Sequence, residues 1–442
     1  MTSIEELIQS MNRLGWAISL LTLQQTREPA ATLDRNSSRH RSVSSSVGPD
    51  TTDAWTGHTR CGSKTLSGGV AFRAPTARSI FKTGIELMRQ YAAILKWLSP
   101  EADSQAAWQE LQNKLEAFSL FQQVDIELNI SPEAPSSFPE LVERVRQFDR
   151  YRGIWLMEGL GHCHSDLLLR QGYIPGNILK APSNGRLPAA SLIPLHAGMG
   201  LSLAEWLLPA MERNPTQGVR TFIEACQAAS QPGYFGVACE ALGLATRNLF
   251  PHLLAPLDLA LSRAGEAYLE YFWHGIGRAI YFSPANLPPW RTAPWAGFET
   301  CLRESTHNPV RRNAVAGFCW ALTLINIRHP EVLEAFLKCH EHEITAHDAC
   351  RNGIASALLI GAEATGDASC LDALQQHQPA ASAVSLWRTH VLPGCEAARL
   401  HSGSSQLAMD ELFRCQDMDA ETHFSMNSGV HPNVEPRKGS QC

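Results

Sequence analysis

The feature that most constrains this chain is a recurrence of small residues inside apolar runs. Glu158-Gly159-Leu160-Gly161, Ala197-Gly198-Met199-Gly200, Ala241-Leu242-Gly243, His274-Gly275-Ile276-Gly277, Val315-Ala316-Gly317 and Asn352-Gly353-Ile354-Ala355 each open or sit within such a run. With Gly161, Gly200, Gly243, Gly277, Gly317 and Ala355 as markers, the successive steps are 39, 43, 34, 40 and 38 residues. A period of about forty residues is the mark of stacked helical hairpins, each burying its apolar face only against its neighbours. The expected fold is therefore all-α: an array of about six helical hairpins, either an open superhelix or a closed α/α toroid. Period alone does not choose between the two.

Between the markers lie second helices at Val219–Ala228, Leu253–Tyr271 and Val332–His342, punctuated by Pro and Gly clusters such as Gln231-Pro232-Gly233 and Pro288-Pro289. Ahead of the repeat, Ser79 is a candidate N-cap for an amphipathic helix running to Ser99-Pro100, and Trp108, Leu111, Leu115, Phe118 and Phe121 form the stripe of a second. Apolar and polar residues alternate from Val124 to Ile130, the pattern of an extended segment, and a helix is expected from Pro139 to Phe148. Four parts follow: a short N-terminal helix over 1–25, a disordered Ser/Arg-rich linker over 26–78, the helical-repeat domain over 79–400 and a disordered tail over 401–442. An organellar transit signal is the competing reading of the linker.

The net charge is -6, without the basic excess of a nucleic-acid binder. No apolar run reaches the roughly 18 to 20 residues of a membrane span. The twelve cysteines are scattered through segments that read as buried helix, which suggests reduced thiols and a cytoplasmic, soluble protein.

Glycines two apart inside a helix cost about 0.8–1 kcal/mol each relative to alanine. Two explanations stay open: close approach of a neighbouring helix, or bare N–H groups at a helix start facing a ligand. No copy carries the full glycine fingerprint of a dinucleotide site. His274 and Arg278 are four apart and share a helix face, with Tyr281 adjoining. Glu158 stands where His274 stands, immediately before its Gly-x-Gly. In a closed array these groups would converge on a central cavity, with Glu158 and His274 suited to proton transfer and Arg278 to charge stabilisation; Tyr281 completes the candidate set. The bland alternative is that they satisfy buried carbonyls between hairpins.

Two stretches invite a metal reading. His162 and His164 lie on opposite sides of a helix, which argues against one shared ion. Cys339, Glu343, His347 and Cys350 would line one face unless a turn intervenes at Thr345 to Asp348. No metal and no cofactor is expected, and a zinc-dependent hydrolase is the least favoured reading.

Arg152-Gly153-Ile154-Trp155-Leu156-Met157-Glu158-Gly159, His274 through Phe282, Arg312-Asn313-Ala314-Val315-Ala316-Gly317 and Ile325-Asn326-Ile327-Arg328-His329-Pro330 together resemble an uncharacterised, mostly bacterial family. That family accompanies polyketide synthases in enediyne-type biosynthetic clusters. The likeness covers approximately Ser79 to Leu400, and the Ser/Arg-rich segment before it departs from the compact bacterial pattern. The resemblance implies a role in secondary-metabolite biosynthesis, with no reaction to carry over. Trp155, Trp206, Trp273, Trp290, Trp295 and Trp320 would then line a pocket for a greasy intermediate. The expected function is an accessory protein that binds, and in its catalytic form cyclises or isomerises, an apolar small-molecule intermediate. The alternative is a non-catalytic helical-repeat scaffold docking pathway enzymes on its concave face.

Overall fold

The computed structural model describes residues 75–99, 101–122, 124–128, 137–172, 178–180, 187–283, 295–305, 308–344, 348–401 and 409–415. The expected N-terminal helix and most of the linker lie outside them. Among the described residues every regular element is a helix, so the all-α expectation holds, and none of these helices is long and apolar enough to cross a membrane.

The chain divides into two compact units, 1–87 and 88–442. The first contributes the opening turns of α1 (Pro75–Leu98), which begins four residues before the Ser79 cap expected from sequence. The second holds α2 (Ala102–Gln122), α3 (Val124–Glu127), α4 (Phe138–Val145) and α5 (Arg150–Arg170), followed by α6 (Ala189–Met211), α7 (Pro215–Ala229), α8 (Phe235–Leu249), α9 (Leu254–Ala264) and α10 (Glu266–Tyr281). Then come α11 (Ala296–Glu304), α12 (Asn308–Ile325), α13 (Pro330–Cys339), α14 (Glu341–Ile344), α15 (Ala349–Thr365), α16 (Ser369–Gln376), α17 (Val384–His390) and α18 (Leu392–His401).

Local chemistry places several boundaries. Asp149 caps α5 by accepting from the Arg152 N–H, and Asn214 caps α7 by accepting from that of Gln217, with Pro215 in the first turn. Gly366, at φ 59°, closes α15 in the left-handed conformation that glycine adopts without steric cost. Two expectations are corrected. Val124–Glu127 is one helical turn rather than an extended segment, because its alternating apolar residues Val124 and Leu128 both reach the core at i and i+4. The long second helix expected over Leu253–Tyr271 is broken at Gly265, φ 151°, so that Tyr271 belongs to α10 together with the glycine run.

Every marker lies in an inner helix, and these helices pack in chain order: α5 on α6, α6 on α8, α8 on α10, α10 on α12, and α12 on α15. Helix α15 also packs against α5 and α6. Within residues 88–442 the row of inner helices therefore closes on itself. The glycines make this spacing possible. A Cβ on Gly275 would fall on the Glu240 carbonyl of α8, and one on Gly277 on the Ala314 carbonyl of α12, both closer than 3.0 Å. Gly275 and Gly277 thus seat α10 against both neighbours at backbone contact. Close approach is the explanation for the glycine pairs, and none of them opens a helix.

Candidate functional site

Helix α10 carries its polar residues into two separate buried clusters. The first gathers Glu158 from α5, Glu240 from α8, and His274 and Arg278 from α10, all 5% exposed or less. Arg278 bridges across the closed row: its Nη2 donates to Glu158 Oε1 at 2.5 Å and its Nη1 to Glu240 Oε2 at 3.2 Å. His274 Nδ1 lies 3.0 Å from the other Glu240 oxygen. An ionised carboxylate can only accept, so an Nδ1–H is the form that makes this bond. Among the described residues neither His274 Nε2 nor Arg278 Nε has a hydrogen-bond partner. Burial alone would raise the Glu240 carboxyl, but Arg278 and His274 overcome it and hold Glu240 below the usual carboxylate range. Burial likewise opposes charge on Arg278, and the two carboxylates outweigh it and raise the guanidinium. Two carboxylates thus face one guanidinium and one imidazole.

Beside this cluster is a cavity of about 20 Å³, room for roughly one water. Its walls include Ile154, Ile193, Leu324 and Ile360, with Glu158, Arg278 and Trp320 on the polar side. The wall is completed by Phe413, from a 3₁₀ turn at Met409–Phe413. This turn falls inside the stretch expected to be a disordered tail, yet Met409, Leu412 and Phe413 are buried, and the turn packs on α8 and α15.

The second cluster lies at the other end of α10. Tyr281 follows His274 by seven residues, about 10 Å along the helix, and joins a different set of partners. Asn326 Nδ2 donates to its hydroxyl at 3.1 Å, and Lys114 Nζ stands 3.9 Å from its ring centroid. Lys114 pairs with Glu110 at 3.2 Å, and Asn113 Nδ2 donates to Asn326 Oδ1 at 2.9 Å. Here burial prevails: it raises the Glu110 carboxyl and lowers the Lys114 ammonium, each against the pull of the other.

Of the residues predicted from sequence, the structure brings Glu158, His274 and Arg278 together and places Tyr281 elsewhere. Glu240 was missed although a signal for it exists. It stands three residues before marker Gly243, as Glu158 stands before Gly161 and His274 before Gly277. Counting back from the last glycine instead of the first would have found it. Glu110 and Lys114 gave no signal, since they fall on the polar side of the α2 stripe.

Of the six tryptophans expected to line one pocket, Trp320 does so. Trp206 is 52% exposed, the Trp273 indole N–H donates outward to Asp258 at 2.7 Å, and Trp290 lies outside the described residues. Trp155 is buried beside Tyr151, and Trp295 packs on Phe336. Among the described residues no group of three His, Cys, Asp or Glu is placed to hold a metal. His162 pairs with Glu205 at 3.1 Å, while His164 stacks on Phe138 and burial lowers it to about 4. Cys339 ends α13, and the turn at His340 breaks the face it was expected to share with Glu343.

His196 shows what a purely structural histidine looks like in this fold. Its Nε2 accepts from the Gln231 N–H at 2.9 Å, its Nδ1 lies 2.6 Å from the Leu192 carbonyl, and burial lowers it to about 4. Both nitrogens are used, whereas among the described residues His274 Nε2, like both nitrogens of His390, has no hydrogen-bond partner. No family model, no curated protein and no solved structure matches this chain.

Proposed function

We propose that this chain is an accessory protein of a polyketide-type secondary-metabolite pathway, which holds an apolar intermediate against the Glu158–Glu240–His274–Arg278 cluster and isomerises or cyclises it without a cofactor. The observation that carries the reading is the His274 Nε2, buried without a hydrogen-bond partner among the described residues while Nδ1 faces the Glu240 carboxylate. Such a nitrogen can take a proton from a carbon next to a carbonyl. The Arg278 Nε–H can donate to the enolate oxygen that results. Return of the proton at another carbon is an isomerisation; attack of the enolate carbon on a second carbonyl carbon of the same molecule, whose C=O π electrons pass to its oxygen and take the proton back from His274, is a cyclisation. The pathway is suggested by the resemblance of the runs around Glu158 and His274, and the apolar lining suits a reduced or polyene intermediate. The cytoplasm, expected from the cysteine pattern, belongs to the same proposal.

The test is replacement of His274 by Ala in a native producer. Product should disappear while the purified variant keeps its helical signal and cooperative melt; unchanged product would remove the catalytic role.

The second reading, a scaffold docking pathway enzymes, is favoured by the small cavity and by the ion pairs that already satisfy both carboxylates. It stands if deletion of the gene stops the pathway while His274→Ala does not.

A further inference from the structure

An inward-pointing cluster beside a cavity the size of one water is a contradiction for any ligand larger than water. Phe413 resolves it. Its ring lines the cavity, stands 5.8 Å from the His274 ring and 5.7 Å from the Trp320 ring, and is 1% exposed. His274 is not among the residues that line the cavity, and its ring meets that of Phe413 edge to face. Removing the Phe413 side chain would enlarge the cavity on the side where the His274 ring lies.

The remainder of the segment is held by the buried Met409 and Leu412 and by polar contacts. Asp410 Oδ1 accepts from the Gly236 N–H at 2.6 Å, Arg414 donates to Glu270 at 2.8 Å and also to Glu411, and the Cys415 N–H donates to Asn313 Oδ1 at 2.8 Å. A short turn that puts Phe413 into the cavity wall and buries Met409 and Leu412 beside it, with polar contacts at its edges, is built as a plug.

Building on the catalytic reading above, we infer that the seat of Phe413 is the ligand site, that its ligand carries a planar conjugated apolar group ending in a carbonyl or carboxylate oxygen, and that Met409–Cys415 occupies the site as a displaceable self-ligand. The planar group follows from what now fills the seat, a flat ring against Trp320. The oxygen follows from Arg278 Nε, an unpartnered donor buried at the polar side of the same space. A ligand must then compete with the plug, so its apparent affinity is reduced by the fraction of chains with the plug withdrawn.

The experiment measures binding of a linear conjugated tetraene fatty acid, by its emission, to the full-length chain and to its Arg414→Gln and Asp410→Ala variants. Neither residue belongs to the cluster. Loosening the plug should tighten binding about tenfold or more. Saturating probe should accelerate amide hydrogen exchange across 409–415. Adding Ala364→Leu, which narrows the seat without touching the fastenings, should abolish binding in the Arg414→Gln background.

Equal affinity in the three chains, no binding in any of them, or exchange at 409–415 left unchanged by the probe would make the segment a fixed part of the core and overturn the inference. Failure of the catalytic reading looks different. There the probe binds as described, but His274→Ala leaves product formation intact.

Discussion

The two polar clusters on α10 have similar burial and opposite electrostatic outcomes. Around Arg278 the ion pairs outweigh desolvation, and the charged forms of Glu240 and Arg278 are favoured. Around Lys114 desolvation outweighs the pairing with Glu110, and both groups are pushed towards neutrality. The difference is one of shape. The Arg278 guanidinium engages two carboxylates through separate N–H groups, whereas the Lys114 ammonium, a point charge, pairs with Glu110 and sits over a ring face. A buried charge persists where geometrically matched opposite charges replace water.

The comparison breaks first under substitution of the cations. Arg278→Met should cost about 3–5 kcal/mol in denaturant unfolding, since it strands two carboxylates in the interior. Lys114→Met should cost roughly 1–2 kcal/mol, because Glu110 can keep its proton. Equal losses would mean that the two clusters are alike after all.

Next is Gly277→Ala, which drives a methyl group into the Ala314 carbonyl one turn above Tyr281. A loss of roughly 1–3 kcal/mol is expected, with displacement of α10 from α12 visible as altered Trp320 fluorescence. Tyr281→Phe is smaller, about 1 kcal/mol for the bond from Asn326, and should leave any activity that depends on His274 in place. Loss of product in Tyr281→Phe would join the two clusters functionally.

The smallest effect is on the plug and depends on pH. Burial raises docked Asp410 from 3.8 to about 6, with Glu411 acting in the same direction and the Gly236 N–H and Arg414 against it. Tyr234, Tyr271 and Cys239 also face this carboxyl. The docked form therefore binds the proton more tightly than the free chain. Docking should be strongest below pH 3.8, weaken as pH rises to about 6, and level off above. Hydrogen exchange of 409–415, corrected for its intrinsic pH dependence, reads this directly; no change across the window would exclude Asp410 as a determinant of docking.

How much was legible depended on whether burial was local. The glycine pairs announced close helix contact because a helical glycine costs stability unless packing compensates. The i, i+4 spacing of His274 and Arg278 announced a shared face. In α2 the same logic failed. Trp108 and Leu111 marked one apolar stripe, but Glu110, Asn113 and Lys114 on its other side are buried as well, because α2 packs between α5 on one side and α12 and α13 on the other. Amphipathic patterning reports one covered face and cannot report a second. Phe413 was invisible for a related reason: a single aromatic residue in a polar stretch becomes core only where a seat has been built elsewhere.

The sequence by itself determined the helices, their pairing near every fortieth residue, and three members of the central cluster, since each of these rests on contacts a few residues or one repeat apart. Only the tertiary structure decided that the inner row closes, that Glu240 faces Arg278 beside Glu158, and that the segment at 409–415 fills the middle. Closure depends on the small rotation between successive hairpins summed over all of them. No local pattern encodes that sum.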